Sequence, residues 1–139
     1  MKLFLDTSVL LAASGSATGA SREIFNRTAT NNWKLTSTPY VIEEVVRNLS
    51  RLPAEASVAW AGLRPALNLM DDVLTLDRPS IFQAAKDRPI LFGALAWADV
   101  LLTLDQADFG SLIGKSFYNL LVLKPGMFLE RQREEGNLR

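Results

Sequence analysis

Several carboxylates stand where apolar runs of the sequence end, and their positions indicate a binding or catalytic site. Asp6 and Asp105 each follow an apolar run closely, and Asp87 and Asp108 stand at the predicted starts of helices. Asp is depleted in strands, so acids placed directly against buried runs need an explanation. In an open α/β sheet, ligands bind outside the carboxyl ends of the strands, where all four acids are expected.

A further acid is expected from the helix that follows the second predicted strand, where Glu43 and Glu44 are adjacent. Helical geometry places them on opposite sides of the apolar face, so burial does not choose between them. Glu43 has Arg47 four residues later, which is a ready partner for a salt bridge. Glu44 has Asn48 at that spacing and is the freer carboxylate, so we expect Glu44 to contribute.

The composition restricts what such a cluster can do. The 139 residues include no His and no Cys, which excludes an imidazole base, a thiolate nucleophile and His or Cys metal ligands. Carboxylate oxygens are the ligands preferred by hard divalent cations such as Mg²⁺ or Mn²⁺. These ions polarise phosphates and activate water. The acids therefore predict a magnesium or manganese site.

Each acid also has a plainer interpretation. Asp87 and Asp108 are suited to capping helices, Asp6 and Asp105 to solvated turns, and the glutamates to the surface. The joint placement at one edge is the signal, not any single residue. Other acids precede strands or copy the setting of Asp105, and are not assigned: Asp71, Asp72, Asp77 and Asp99.

The apolar pattern predicts the elements that would position these acids. Short strands are expected at 2–5, 33–37, 73–76, 100–104 and 118–123. Helical segments are expected at 9–13, 21–31, 39–51, 54–70 with a disturbance at Pro65, 79–86, 88–97, after Asp108, and from Pro125 onward. The helix at 39–51 should bury Ile42, Val45, Val46 and Leu49. Strands that are apolar throughout indicate a mainly parallel sheet covered on both faces, in a single domain spanning 1–139.

Charge is balanced overall but unevenly distributed. Residues 1–64 and 109–139 each carry a net charge of +2, whereas residues 65–108 carry −4. The neutral total argues against a simple basic clamp for nucleic acid. No apolar stretch is long enough to span a membrane and no leader is visible, so a cytoplasmic location is expected.

Four segments of the chain, 5–11, 38–45, 87–109 and 123–129, carry short motifs in a fixed order. The first is an acidic strand end followed by a hydroxyl and an apolar helix, and the second has Glu before an aliphatic residue in a helix. The third is an Asp at a helix start, then a strand closing on Thr-x-Asp, then Asp-Phe. The last is a closing strand followed by Pro and Phe-Leu. Taken in order, these four segments resemble the PIN-domain nucleases.

The resemblance implies an α/β/α sandwich and metal-dependent cleavage of RNA. Asp6, Glu44, Asp87 and Asp105 would form the acidic pocket around Mg²⁺ or Mn²⁺, with Asp108 as a fifth contributor. Many such proteins are VapC-type toxins of toxin–antitoxin pairs, so an antitoxin partner and a homodimer are expected. The extra apolar residues between 53 and 70 then have two interpretations, core packing or a surface for one of these partners.

Two other functions are compatible with parts of the pattern. A phosphohydrolase with Asp6 as covalent nucleophile also begins with a strand-end Asp, but it usually has a second Asp two residues later, where this chain has Ser8. A catalytically silent binding or assembly module of the same fold would be expected to have lost an acid. Each expected acid has a counterpart in the sequence, which favours the nuclease.

Overall fold

A six-stranded sheet lies at the centre of the part of the chain described by this computed structural model, residues 1–73 and 88–139. The order of the strands is β3-β2-β1-β4-β6-β5; all neighbours are parallel except β5 and β6. The strands are β1 Lys2–Leu5, β2 Lys34–Ser37, β3 Asn68–Leu69, β4 Val100–Leu102, β5 Ser116–Phe117 and β6 Leu120–Leu123. The mainly parallel sheet predicted from the sequence is confirmed.

Seven α-helices surround this sheet within the described residues, giving a three-layer α/β/α sandwich. Helix α5 packs against β1, β2 and β4, while α1 packs against α2, α3 and α4. The helices are α1 Thr7–Gly15, α2 Ala20–Asn31, α3 Pro39–Asn48, α4 Ala54–Leu63, α5 Arg88–Trp97, α6 Gln106–Phe109 and α7 Pro125–Glu134. The predicted helix at 79–86, most of the predicted strand at 73–76, and Asp77 and Asp87 lie outside the described residues.

The two central strands carry the core and fix the edge at which the acids emerge. β1 and β4 pair with Leu3 opposite Val100 and Leu5 opposite Leu102, and all four side chains are buried. Asp6, the next residue of the chain, donates its backbone N–H to the Leu102 carbonyl at 3.1 Å. The ends of β1 and β4 are therefore held together at the carboxyl edge of the sheet.

Helix α3 begins as the sequence predicts, with Thr38 in extended conformation and Pro39 in the first turn. Proline loses no hydrogen bond there and its fixed φ suits the helix. The helix ends earlier than expected, at Asn48, and a 3-10 turn follows at Leu49–Arg51. Val45 is buried, but Val46, which we expected to be buried, is 57% exposed. The predicted buried face of α3 thus included one residue, Val46, that lies at the surface.

In the predicted helix over 54–70 the disturbance expected at Pro65 is confirmed, but the helix does not resume beyond it. Helix α4 ends at Leu63, and Pro65 lies in a 3-10 turn, Arg64–Ala66, because proline cannot continue an α-helix. The chain then enters β3 and pairs with β2. Trp60 is 7% exposed and belongs to the core, whereas Val58 is 77% exposed. Core packing thus accounts for part of this apolar stretch.

A tight hairpin at the sheet edge was missed by the sequence analysis. The predicted strand at 118–123 begins only at Leu120, because Tyr118 and Asn119 form a two-residue turn between β5 and β6. Both turn residues have positive φ, 48° and 67°, as the twist-matched hairpin turn requires. In the described residues, no helix has the length and apolar character needed to cross a membrane.

Candidate active site

A small cleft at the carboxyl edge of the sheet brings together three of the predicted acids. Its volume is about 200 Å³. Asp6 follows β1, Glu44 lies in α3 after β2, and Asp105 follows β4. β1 lies between β2 and β4, so three neighbouring strands deliver one carboxylate each. The lining residues are Asp6, Thr7, Ser8, Leu11, Glu44, Asn48 and Asp105.

The Asp6 carboxylate is the buried centre of this cleft, with only 3% of the residue exposed. Its Oδ2 accepts hydrogen bonds from the Thr103 hydroxyl at 2.6 Å and the Ser8 hydroxyl at 2.9 Å. Burial raises the pKa of Asp6 from 3.8 to about 6. The bonds from Thr103, Ser8 and the Thr7 backbone lower that pKa, and the nearby Asp105 raises it slightly. Ionising Asp6 therefore costs free energy unless a cation is close.

The hydroxyls beside Asp6 connect it to the loop after β4. The Ser8 hydroxyl accepts from the backbone N–H of Leu104 at 3.0 Å, and the Thr103 hydroxyl accepts from that of Asp105 at 3.1 Å. Each hydroxyl thus donates to Asp6 while holding the backbone that carries Asp105. This double engagement fixes the two carboxylates relative to each other.

Glu44 is held by a different hydroxyl. Its Oε1 accepts from the Thr7 hydroxyl at 2.8 Å, which joins α3 to the first turn of α1. Glu43 is exposed and does not line the cleft. The salt bridge expected between Glu43 and Arg47 does not form in the described part of the chain. The structure therefore brings Glu44 to the cleft, although the ion pair on which we chose it is absent.

Asp105 caps helix α6 and lines the cleft at the same time. Its Oδ1 accepts from the backbone N–H of Asp108 at 3.0 Å. Asp108 was expected to precede a helix, and this is wrong: it lies inside α6, which Asp105 begins. Asp108 is not among the lining residues of the cleft. Asp87, the remaining predicted ligand, lies outside the described residues.

The oxygen atoms at the cleft are of the chemical type that a hard divalent cation binds, and their spacing meets part of what such an ion needs. They are carboxylate oxygens, and the raised pKa of Asp6 would be lowered by a nearby positive charge. Between residues 1–73 and 88–139, no three acidic side chains stand close enough to form a ready set of metal ligands. Mg²⁺ commonly binds through one or two carboxylates and keeps several waters, so the donor set fits that ion.

Leu11 and Asn48 also line the cleft, and the sequence analysis assigned neither to the site. Each follows an assigned or flanking residue by one helical turn, since Leu11 is four residues after Thr7 and Asn48 is four after Glu44. Residues at that spacing share a helix face. This periodicity was therefore the signal that would have found them.

The fold resembles that of a known structure. A chain of VapBC2 from Rickettsia felis, solved bound to a DNA fragment from its promoter, matches with a TM-score of 0.63. The match covers 89% of this chain and 98% of that one, at 16% sequence identity. This chain has a PIN-like fold. The resemblance noted from four sequence segments is confirmed for the fold.

The other comparisons support no conclusion beyond the PIN-like fold. VapC20 from Mycobacterium tuberculosis, a sarcin-ricin loop cleaving toxin, matches with a TM-score of 0.47 and 18% identity, over 78% of this chain and 94% of that one. That superposition is too loose to support a functional comparison. The sequence matches no protein-family model and no curated protein.

Proposed function

We propose that this PIN-like chain is a metal-dependent endoribonuclease that hydrolyses RNA phosphodiester bonds. The observation that carries the proposal is the convergence of Asp6, Glu44 and Asp105, from three separate elements, on one cleft at the carboxyl edge of the sheet. Three acids, with no basic side chain among the described residues that line the cleft, would repel an RNA phosphate. A bound cation removes that repulsion, so substrate binding and metal binding are expected to be linked.

Asp6, Glu44 and Asp105 would hold Mg²⁺ or Mn²⁺ partly through water, with Asp87 as the predicted fourth ligand and Asp108 as a predicted fifth contributor. When bound, such an ion supplies Lewis-acid polarisation of the phosphate and an activated water. The protein's own contribution is to orient the oxygens. Hydrogen bonds from Thr103 and Ser8 fix Asp6, and that from Thr7 fixes Glu44.

A chain without histidine needs its carboxylates ionised for this role. The pKa of Asp6, about 6 without a cation, leaves it mostly ionised at pH 7 to 8 but not at pH 5. Activity is therefore expected to fall on the acid side. The hydroxyl donors favour the ionised form of Asp6 and so extend activity toward lower pH.

The wider role proposed is that of the toxin in a toxin–antitoxin pair, acting in the cytoplasm and forming a homodimer. The order of the four resembling segments supports this role, as does the fold shared with a chain of VapBC2. Exposed apolar residues on α3 and α4, Val46 and Val58, offer contact area for an antitoxin or a second copy. Co-purification with the product of a neighbouring gene tests the pairing, and light scattering tests the dimer.

Cleavage of a mixed pool of RNA with Mg²⁺, Mn²⁺ or EDTA is the direct test of the nuclease. Wild type should cleave only with metal, and Asp6→Asn and Asp105→Asn should each lose at least a hundredfold in rate. Glu44→Gln should also lose activity, whereas its neighbour Glu43→Gln, outside the cleft, should retain it. Activity that survives both Asp6→Asn and Asp105→Asn would overturn the assignment.

A further inference from the structure

Two uncharged residues that the proposed hydrolysis does not use also line the cleft. They are Leu11 of α1 and Asn48 of α3. Asn48 lies one turn of α3 beyond Glu44, a displacement of about 6 Å along the helix. A group bound beside Glu44 would therefore extend onto Asn48 and Leu11.

The amide of Asn48 is fixed in one orientation. Its Nδ2 donates to the Glu44 carbonyl at 2.7 Å, and the side chain is partly buried. Within the described ranges, 1–73 and 88–139, no protein group donates to its Oδ1. Asn48, a residue that lines the cleft, thus keeps a neutral hydrogen-bond acceptor that no described protein group uses.

Among the residues that the structure describes, the other polar side chains of the cleft already have a role. The hydroxyls of Thr7 and Ser8 donate to Glu44 and Asp6, respectively. The carboxylates are the proposed metal ligands. Asn48 Oδ1 is therefore the acceptor best placed to receive a hydrogen bond from a neutral hydroxyl of the substrate.

The chemistry of the substrate indicates which hydroxyl this is. When water attacks the phosphodiester, the ribose 2′-hydroxyl takes no part in bond making, so a preference for RNA over DNA has to come from recognition of that hydroxyl. The ribose is bonded directly to the phosphate, which places it beside the acids when the phosphate lies among them. We propose that Asn48 is a specificity-determining residue, whose Oδ1 accepts a hydrogen bond from the ribose 2′-hydroxyl. This inference rests on the proposed nuclease function.

Binding to oligonucleotides of one sequence tests this without catalysis. Fluorescence anisotropy on protein that keeps Asp6, with Ca²⁺ as an oxygen-ligated ion in place of Mg²⁺, would compare a single-stranded RNA with the same strand made of 2′-deoxynucleotides. The RNA should bind about fivefold more tightly than the DNA, which is the ratio of dissociation constants expected from one neutral hydrogen bond. Asn48→Ala and Asn48→Leu should reduce that ratio to about one, while Asn137→Ala, an exposed asparagine outside the cleft, should leave it unchanged. A ratio that stays at fivefold in both Asn48 variants overturns the inference.

Cleavage by otherwise wild-type protein separates this inference from the nuclease proposal. A single 2′-deoxy substitution at the scissile nucleotide should slow cleavage by the wild-type protein about fivefold. The same substitution should not change the rate of cleavage by Asn48→Ala. Equal slowing of both proteins overturns the role of Asn48 and leaves the nuclease intact. No metal-dependent cleavage by wild type overturns the nuclease proposal itself. If Asn48 had only a structural role, Asn48→Ala would cleave both substrates more slowly by the same factor, and the ratio of the two cleavage rates would stay as in wild type.

Discussion

Thr103 and Asp6 are 97 positions apart in the sequence, yet the Thr103 hydroxyl donates a 2.6 Å hydrogen bond to Asp6 Oδ2. The same hydroxyl accepts from the backbone N–H of Asp105. One buried side chain thus links the end of β1 to the loop that carries a second acid. This link and the burial of Asp6 make the stability and the pH dependence of the site sensitive to both residues.

Asp6→Asn should stabilise the protein at pH 8 in EDTA. The substitution removes a buried charge, and its amide oxygen can still accept from Thr103 and Ser8. A pKa raised from 3.8 to about 6 corresponds to roughly 3 kcal/mol of unfolding free energy, which is an upper limit for the gain. Urea denaturation measures it. Asp71→Asn, at an exposed position, should change stability by less than about 0.5 kcal/mol.

The advantage of Asp6→Asn should disappear as the pH falls. The folded protein holds the Asp6 proton more tightly than the unfolded chain, so wild type loses stability as the pH rises from about 4 to about 6. The difference between the two proteins should therefore be near zero at pH 3.5, grow between pH 4 and 6, and level off above. A difference that is independent of pH would show that Asp6 is not the titrating group.

Mn²⁺ should raise the melting temperature of wild type at pH 7.5. Binding at one hundred times the dissociation constant stabilises the folded state by about 2.7 kcal/mol. Asp6→Asn and Glu44→Gln should show a much smaller rise, and Glu43→Gln the same rise as wild type. Thermal scans with increasing Mn²⁺ provide the measurement. An equal rise in all four proteins would place the ion elsewhere.

Thr103→Val should move the acid limb of the activity profile to higher pH. Valine keeps the volume but removes the donor to Asp6, whose pKa then rises further. It also leaves the Asp105 N–H without its acceptor, so we expect a loss of roughly 1–3 kcal/mol in stability. Thr103→Ser keeps the hydroxyl and should keep the profile of wild type. Rates measured from pH 5 to 9 separate the shift from a uniform loss of activity.

Gly93→Ala and Gly62→Ala should have opposite effects on stability. A Cβ at Gly93 in α5 would lie 3.2 Å from the buried ring of Phe4 and 3.3 Å from Thr38, closer than the core can readily accommodate. We expect a net loss of roughly 1 kcal/mol. A Cβ at Gly62 in α4 would meet no atom within 4 Å, so the helix preference for alanine should add about 0.5–1 kcal/mol. Denaturant midpoints compare the two.

Local sequence determined much of this fold. The apolar runs of β1, β4 and β6 and the Thr-Pro start of α3 follow from burial and backbone preferences that act over a few residues. These features predicted a parallel sheet with Asp6, Glu44 and Asp105 at its carboxyl edge. They failed at the hairpin turn of Tyr118 and Asn119, where pairing between β5 and β6 imposes positive φ on residues without a glycine signal.

Tertiary structure alone decided what surrounds the acids. The sequence set Asp6 at a strand end, but packing of β1 beside β4 buries it and raises its pKa. Helix periodicity left Glu43 and Glu44 equivalent, whereas the approach of α1 to α3 gives Glu44 the Thr7 hydroxyl and puts Asn48 in the same cleft. Such contacts join residues tens of positions apart. Burial and hydrogen bonding at these sites depend on how the helices and strands pack, which the local sequence does not encode.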